Sequence, residues 1–193
     1  MLKKSIVLAL ALAIVAGCGK KEDSSSGGGG GSSASAKTPE EAYNEMKKCL
    51  IAGDGKAIWN GLSAASRKKL TTDPEMLKGQ EEMKKLTDEQ LEGIAKEQYG
   101  VTAAQLRKMS PEEMMIALFG NMAKDPKEKE ENEKSKWKSA DIKGDKAYCT
   151  TTKPGGDGKD EEDYTVLVKE DGTWKVDIEE TQNWKKEKKG EHK

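Results

Sequence analysis

The sequence predicts an α+β domain, in which N-terminal helices pack on a curved C-terminal antiparallel sheet of about four strands and a helical insert lies between them. Helix-capping signals fill residues 38–124, whereas apolar and polar residues alternate with a period of two from residue 137 onward. The two patterns follow one another without intermingling. Helices that precede the strands, instead of alternating with them, are typical of a fold in which helices cover one face of an antiparallel sheet.

Residues 1–17 have the composition of a secretory leader. The first four residues include two lysines, an apolar stretch too short to span a bilayer follows, and Ala16 and Gly17 are the small residues that a signal peptidase needs. The end of the leader, residues 12–18, resembles the lipobox of bacterial lipoproteins. This resemblance implies cleavage before Cys18 and lipidation of that cysteine, which anchors the protein to a membrane without spanning it. An ordinary secretory signal and an uncleaved anchor are the alternatives.

Residues 18–37 comprise the anchor cysteine and a flexible linker rich in glycine and serine. At about 5–6 Å times the square root of its length, the linker typically spans about 24 Å, so the domain can stand away from the membrane. The lipoprotein resemblance places the protein in the cell envelope, on the extracytoplasmic face of a bacterial membrane. Gly19 stands where an aspartate is associated, in some bacteria, with retention in the inner membrane, and it therefore favours the outer membrane.

Composition limits the classes of partner and chemistry. The chain has 34 basic and 35 acidic residues, so no concentrated basic face is expected and nucleic-acid binding is disfavoured. Residues 38–180 have the size of a single domain, and residues 181–193 are predicted to be a charged tail. The sole histidine, His192, lies in that tail. Neither a histidine-based triad nor a zinc site is therefore expected, and no metal or cofactor is predicted.

The first half of the domain carries a succession of helix starts. Thr38 can form a capping box with Glu41, and Gly53 is placed to end the helix that begins there. Asp54 and Ser63 can each cap a further helix. These signals predict three helices in the first third of the domain.

The predicted helical insert covers roughly residues 73–124. Its helix starts are Asp73, Thr87, Thr102 and Ser110. The charged run at residues 127–136 is interpreted as a solvated connector or an exposed helix.

The predicted strands follow the insert. Residues 137–142 and 146–152 flank a tight turn, and residues 164–168 and 174–178 form a second pair of strands around Gly172. In the last strand, alternation points Val176 towards the core and Asp177 towards solvent. The tryptophans at positions 59 and 174 are expected in the core.

Two cysteines remain once Cys18 is assigned to the lipid. Cys49 falls on the apolar stripe of the first predicted helix, and Cys149 falls in the second predicted strand. In an oxidising envelope compartment two such thiols can pair, so the sequence predicts a disulfide between Cys49 and Cys149. Two buried free thiols are the alternative.

The order of these signals resembles the nuclear transport factor 2-like (cystatin-like) superfamily, and more narrowly its uncharacterised bacterial lipoproteins. The resemblance rests on the opening residues 38–42, the break at 52–54, the stretch 62–67 and the close at 171–176. The helical insert departs from the common pattern of the superfamily. The resemblance implies a cone-shaped α+β domain and leaves its activity open.

We expect a non-enzymatic domain that binds a small ligand or another envelope protein. Some members of the resembled superfamily are isomerases or dehydratases that use carboxylates and tyrosines inside the cone, so an enzyme is the alternative. The groups that could serve such an enzyme are Tyr43, Tyr148, Tyr164 and Asp177.

Two further features bear on function. Soft-metal binding is a third hypothesis, because sulfur ligands favour Cu(I) and four methionines lie in the second half of the insert. They are Met109, Met114, Met115 and Met122. Met115 and Met122 share a helical stripe with Leu118, which is more typical of core packing. Trp184, which two lysines follow, is either a contact for a membrane or partner or part of a frayed end.

Overall fold

The computed structural model describes residues 36–155, 159–188 and 190. The predicted leader, Cys18, most of the predicted linker and His192 lie outside these residues. Within them the protein has an α+β fold, in which a series of helices precedes a four-stranded antiparallel sheet. The predicted fold class is confirmed.

The first three helices begin and end close to the predicted positions. They are α1 (Pro39–Ala52), α2 (Gly55–Asn60) and α3 (Ala64–Thr72). The capping box between Thr38 and Glu41 is present at the start of α1. Gly53 ends α1 in the left-handed conformation, with φ of 69°, which favours glycine over any residue that carries a Cβ atom.

The insert is helical, as predicted. Its elements are α4 (Pro74–Lys84), α5 (Asp88–Ile94), a π-helical turn (Ala95–Tyr99), α6 (Ala103–Leu106) and α7 (Pro111–Met122). The charged run after it forms α8 (Pro126–Lys134). The insert joins the rest of the domain where α7 crosses α2 at Gly55 and Gly120. A Cβ atom on Gly55 would lie only 2.1 Å from the carbonyl oxygen of Ile116, so the two helices touch through their backbones.

The sheet is an antiparallel meander in the order β1-β2-β3-β4. Its strands are β1 (Lys136–Lys143), β2 (Lys146–Pro154), β3 (Asp160–Glu170) and β4 (Thr173–Asp177). The outer edge of β4 is covered by two segments from the start of the domain. The backbone N–H of Trp174 donates to the carbonyl of Ala36 at 3.3 Å, and that of Val176 donates to the carbonyl of Gly61 at 2.9 Å.

Helices cover both faces of the sheet. Ala147 and Leu167 belong to the main hydrophobic core, together with residues of the N-terminal helices. The other face is covered by a last helix, α9 (Ile178–Lys188), which packs on β3. The side chain of Thr181 accepts a hydrogen bond from the backbone N–H of Val166 at 2.8 Å and fixes this helix on the sheet.

This last helix changes two predictions. Residues 181–188 are helical, whereas the sequence suggested a charged tail from residue 181. Asp177 is buried, with 7% exposure, whereas alternation predicted it in solvent. The prediction for Asp177 was wrong because it assumed an uncovered second face of the sheet, and α9 covers that face.

The two cysteines of the domain are both free, so the predicted disulfide between Cys49 and Cys149 is not formed. Cys149 is fully buried in the sheet, and its thiol lies 3.6 Å from the carbonyl of Ala147. Cys49 is half-buried and lines a surface groove on α1. Hydrophobic patterning placed both thiols on buried faces, but it carries no information about whether two such faces meet.

We expect the two thiols to react very differently. Burial raises the pKa of Cys149 to about 12, so at pH 8 an alkylating reagent should modify Cys49 in the native protein and Cys149 only after unfolding. The measurement is mass spectrometry of the alkylated Cys18→Ser chain. The melting temperature of this variant should be the same with and without a reductant. A lower value with the reductant would show that the pair is oxidised in solution.

Candidate ligand groove

An open groove of about 370 Å³ lies between α1, α2 and β4. Its floor is apolar and consists mainly of Met46 from α1 together with Trp174 and Val176 from β4. These three side chains are at most 6% exposed. Ala57 on α2 forms part of the opposite wall and is half-buried. Three separate elements thus supply one concave surface, which is typical of a ligand site.

Trp174 is held in a fixed position in the floor of the groove. Its indole N–H donates to the carbonyl of Lys37 at 3.2 Å, and its backbone N–H donates to the carbonyl of Ala36. The ammonium group of Lys169 lies 5.7 Å from the centre of the indole ring. Because both N–H groups of Trp174 already have acceptors, the residue offers the groove an apolar surface only.

Charged side chains line the rim of the groove. They are Glu45, Lys48, Asp54, Lys56 and Lys175. The carboxylate of Asp54 accepts from the backbone N–H of Ala57 at 2.9 Å and caps α2. The ammonium group of Lys175 donates to the carbonyl of Asn60 at 2.9 Å. Lys48 and Lys56 are exposed and have no ion-pair partner within the part of the chain that the structure describes.

Cys49 on α1 also lines the groove and is half-buried. Its partial burial raises the pKa of the thiol, and the negative charges of Asp54 and Glu45 raise it further. The thiol is therefore protonated at neutral pH and is not an activated nucleophile. It nevertheless provides a site inside the groove that an alkylating reagent can label.

The structure places the candidate catalytic Tyr43 in the core and away from the groove. Tyr43 is 3% exposed, its hydroxyl group is hydrogen-bonded to the hydroxyl of Ser135, and its burial raises its pKa. The negative charge of Asp163 raises that pKa further. Asp163 is itself buried and pairs with Lys185 at 2.6 Å. A carboxylate and a tyrosine therefore lie near one another, but neither lines the groove.

Tyr148 and Tyr164 lie on the α9 side of the sheet. The ring of Trp184 contacts both, with centroid distances of 5.3 Å to Tyr148 and 4.9 Å to Tyr164. The hydroxyl of Tyr164 donates to Glu162 at 2.9 Å. Trp184 is half-buried in this aromatic cluster, so it does not belong to a frayed end. The contacts of these three rings fasten α9 to the sheet.

Asp177 connects three elements of the fold. One carboxylate oxygen accepts from the hydroxyl of Ser63 at 3.1 Å, and the other accepts from the backbone N–H of Glu180 at 3.0 Å. The backbone N–H of Ile178 donates to the hydroxyl of Ser66 at 2.9 Å. Asp177 thus joins the N-terminus of α3 to the start of α9, and its carboxylate has a structural role.

The four methionines of the insert belong to the packed interior. Met114 and Met115 are buried in the hydrophobic core, and Met109 and Met122 pack against it. Such packing is the ordinary use of methionine. Among the described residues there is also no group of three or more His, Cys, Asp or Glu side chains that could hold a metal ion.

Sequence reasoning missed the groove, although it identified each element that forms it. Trp59 and Trp174 are both buried, as predicted, but the position of Trp174 in the groove depends on contacts with Ala36 and Lys37.

In the described ranges, no helix is both long enough and apolar enough to cross a bilayer.

Comparison with known proteins adds little to this description. No family model matches the sequence, and no curated protein matches it. One solved structure to which the chain is similar is an NTF2-like transpeptidase from Campylobacter jejuni. The two share 14% identical residues with a TM-score of 0.32, over 72% of this chain and 95% of that chain.

Proposed function

We propose that this protein is a lipid-anchored component of the bacterial cell envelope whose domain binds a small ligand without catalysing a reaction. The observation that carries the binding role is the groove between α1, α2 and β4, which has an apolar floor and a charged rim. The anchoring role rests on the lipobox resemblance of residues 12–18.

Binding is favoured over catalysis by the positions of the acid and base candidates. A cone-type enzyme needs a carboxylate and a tyrosine that face a shared cavity. Asp163 is ion-paired with Lys185, Tyr43 is hydrogen-bonded to Ser135, and none of these four lines the groove. The groove itself combines a fixed apolar surface with lysine side chains and a protonated thiol, which suits recognition.

Anchoring is tested by the Cys18→Ser substitution. We expect the wild-type protein to sediment with envelope membranes and the variant to appear in the soluble fraction or as an unprocessed precursor. The measurement is fractionation of cells followed by immunoblotting, and Cys49→Ser is the matched control because it removes a thiol within the domain. Normal membrane attachment of the Cys18→Ser protein would contradict the lipoprotein assignment.

Occupancy of the groove is tested through the alkylation rate of Cys49. An organic-solvent extract of envelopes, added to the purified Cys18→Ser chain, is expected to slow the alkylation because a bound ligand covers this thiol. Adding Ala57→Phe places a bulky ring in the groove and should abolish the effect of the extract. Adding Ala65→Phe instead introduces the same ring at an exposed position on α3, and the extract should still slow the alkylation of Cys49. Equal alkylation rates with and without the extract would contradict the binding role.

A further inference from the structure

We propose that the groove binds one acyl chain of an anionic amphiphile, with the chain on the floor formed by Met46 and Trp174 and the acidic headgroup between Lys48 and Lys56. This inference rests on the proposed function and specifies its ligand class. It covers a free fatty acid and one chain of an anionic phospholipid, because the two present the same chemistry to the groove.

The hydrogen-bonding state of β4 argues against a peptide ligand. An extended peptide binds a sheet edge through unpaired backbone N–H and C=O groups. At this edge the N–H of Trp174 is bonded to Ala36, and the N–H of Val176 is bonded to Gly61. The indole N–H is occupied by Lys37 as well. Trp174 and Val176 of β4 therefore present apolar surface to a ligand, which suits a hydrocarbon chain.

The charges at the rim favour an acidic headgroup. The Asp54 carboxylate accepts a hydrogen bond at the N-terminus of α2, and the Lys175 ammonium donates a hydrogen bond to the carbonyl of Asn60. Lys48 on α1 and Lys56 on α2 are exposed at the rim, where Glu45 is the remaining carboxylate. Two lysines from separate helices thus outnumber one glutamate. The attraction of a negatively charged headgroup to the lysines is therefore greater than its repulsion by Glu45.

The position of the groove brings it close to a supply of such amphiphiles. Ala36 lines the groove and is buried, with 5% exposure. In the sequence, Ala36 follows the predicted lipid-anchored Cys18 by only 18 residues, so the anchor of the proposed function keeps the groove near a membrane. The groove would then remain within reach of the bilayer surface, where anionic lipids and released fatty acids are concentrated.

The test uses quenching of tryptophan fluorescence in the full-length Cys18→Ser chain. Dibromostearate is expected to quench the emission of Trp174, and the quenching should be lost when Trp174→Phe is added. The uncharged monoacylglycerol with the same brominated chain should bind at least about tenfold more weakly, because it lacks the charge that the two lysines recognise. Vesicles of brominated phosphatidylglycerol form a second arm, which separates a bilayer lipid from a free fatty acid as the source.

Charge variants keep the inference testable if Trp174→Phe fails to fold. The double variant Lys48→Ala, Lys56→Ala should bind dibromostearate about tenfold more weakly, whereas the control Lys68→Ala, Lys108→Ala removes two exposed lysines outside the groove lining and should bind normally. Absence of quenching by both dibromostearate and the brominated phosphatidylglycerol would overturn the inference. Equal binding of dibromostearate by the two double variants would also overturn it. If Cys49 is still protected by the envelope extract in either case, the proposed binding function stands and only the ligand class is wrong.

Discussion

Replacing Gly55 by alanine is expected to lower the free energy of unfolding by about 3 kcal/mol and the melting temperature by about 10 °C. The added Cβ would lie 2.1 Å from the carbonyl oxygen of Ile116 and 2.8 Å from the backbone nitrogen of Gly120. Both neighbours are backbone atoms, so no side-chain rotation can relieve the overlap. Helices α2 and α7 must move apart, which separates the insert from the domain. Thermal unfolding of the Cys18→Ser chain, followed by circular dichroism, measures the effect.

Gly93→Ala is the matched control for this prediction. Gly93 lies within α5, and a Cβ atom there would meet no other atom within 4 Å. Alanine is the better helix former, so this substitution should raise stability by about 0.5–1 kcal/mol. If Gly55→Ala were as stable as Gly93→Ala, the close crossing of α2 and α7 would be refuted.

Asp177→Ala is expected to cost about 3 kcal/mol of stability. The substitution removes the cap of α9, worth about 1 kcal/mol, and a buried hydrogen bond from Ser63 to a charged acceptor, worth about 2 kcal/mol. The loss should appear in urea or thermal unfolding. Because α9 carries Trp184, the tryptophan emission of the folded variant should also shift to longer wavelength as this ring becomes more exposed.

Asp73→Ala separates the two contributions. Asp73 caps α4 through the backbone N–H groups of Glu75 and Met76, as Asp177 caps α9, but within the described part of the chain it makes no buried hydrogen bond to a distant element. Its loss should cost about 1 kcal/mol. Equal costs for Asp73→Ala and Asp177→Ala would mean that the bond between Ser63 and Asp177 contributes nothing to stability.

Local signals account for the part of the fold that the sequence could predict. Capping boxes at Thr38, Thr87, Thr102 and Ser110 are present at the helix starts that they predicted. The four strands likewise occur where alternation with period two predicted them. These signals depend on hydrogen bonds and side-chain spacing within a few residues, which a single sequence displays directly.

The prediction failed where distant segments decide the structure. The covering of the second sheet face by α9 was missed because its charged sequence resembles a tail. The signal that could have revealed this helix was the spacing of Asp177 and Glu180, three residues apart at its start, together with the lysines in its last turn. The disulfide could not be predicted correctly because the relative positions of Cys49 and Cys149 depend on how α1 packs on the sheet.

The groove could not have been predicted by any local pattern. Its floor combines Met46 with Trp174, and its side is completed by Ala36, so residues from both ends of the domain must meet before it exists. The sequence indicated only that each apolar residue would be buried. Which of them would lie beside a concave surface depends on where the chain enters the domain.

Native mass spectrometry of the gently purified, full-length Cys18→Ser chain tests the central claim most directly. The proposed binding role predicts a retained non-covalent mass that is lost in the Ala57→Phe variant and kept in the Ala65→Phe variant. Tandem dissociation of the complex would then identify the ligand, and a fatty acid or anionic lipid would also support the inferred ligand class. A bare chain at the sequence mass in all three proteins, unchanged after incubation with the envelope extract, would contradict the account.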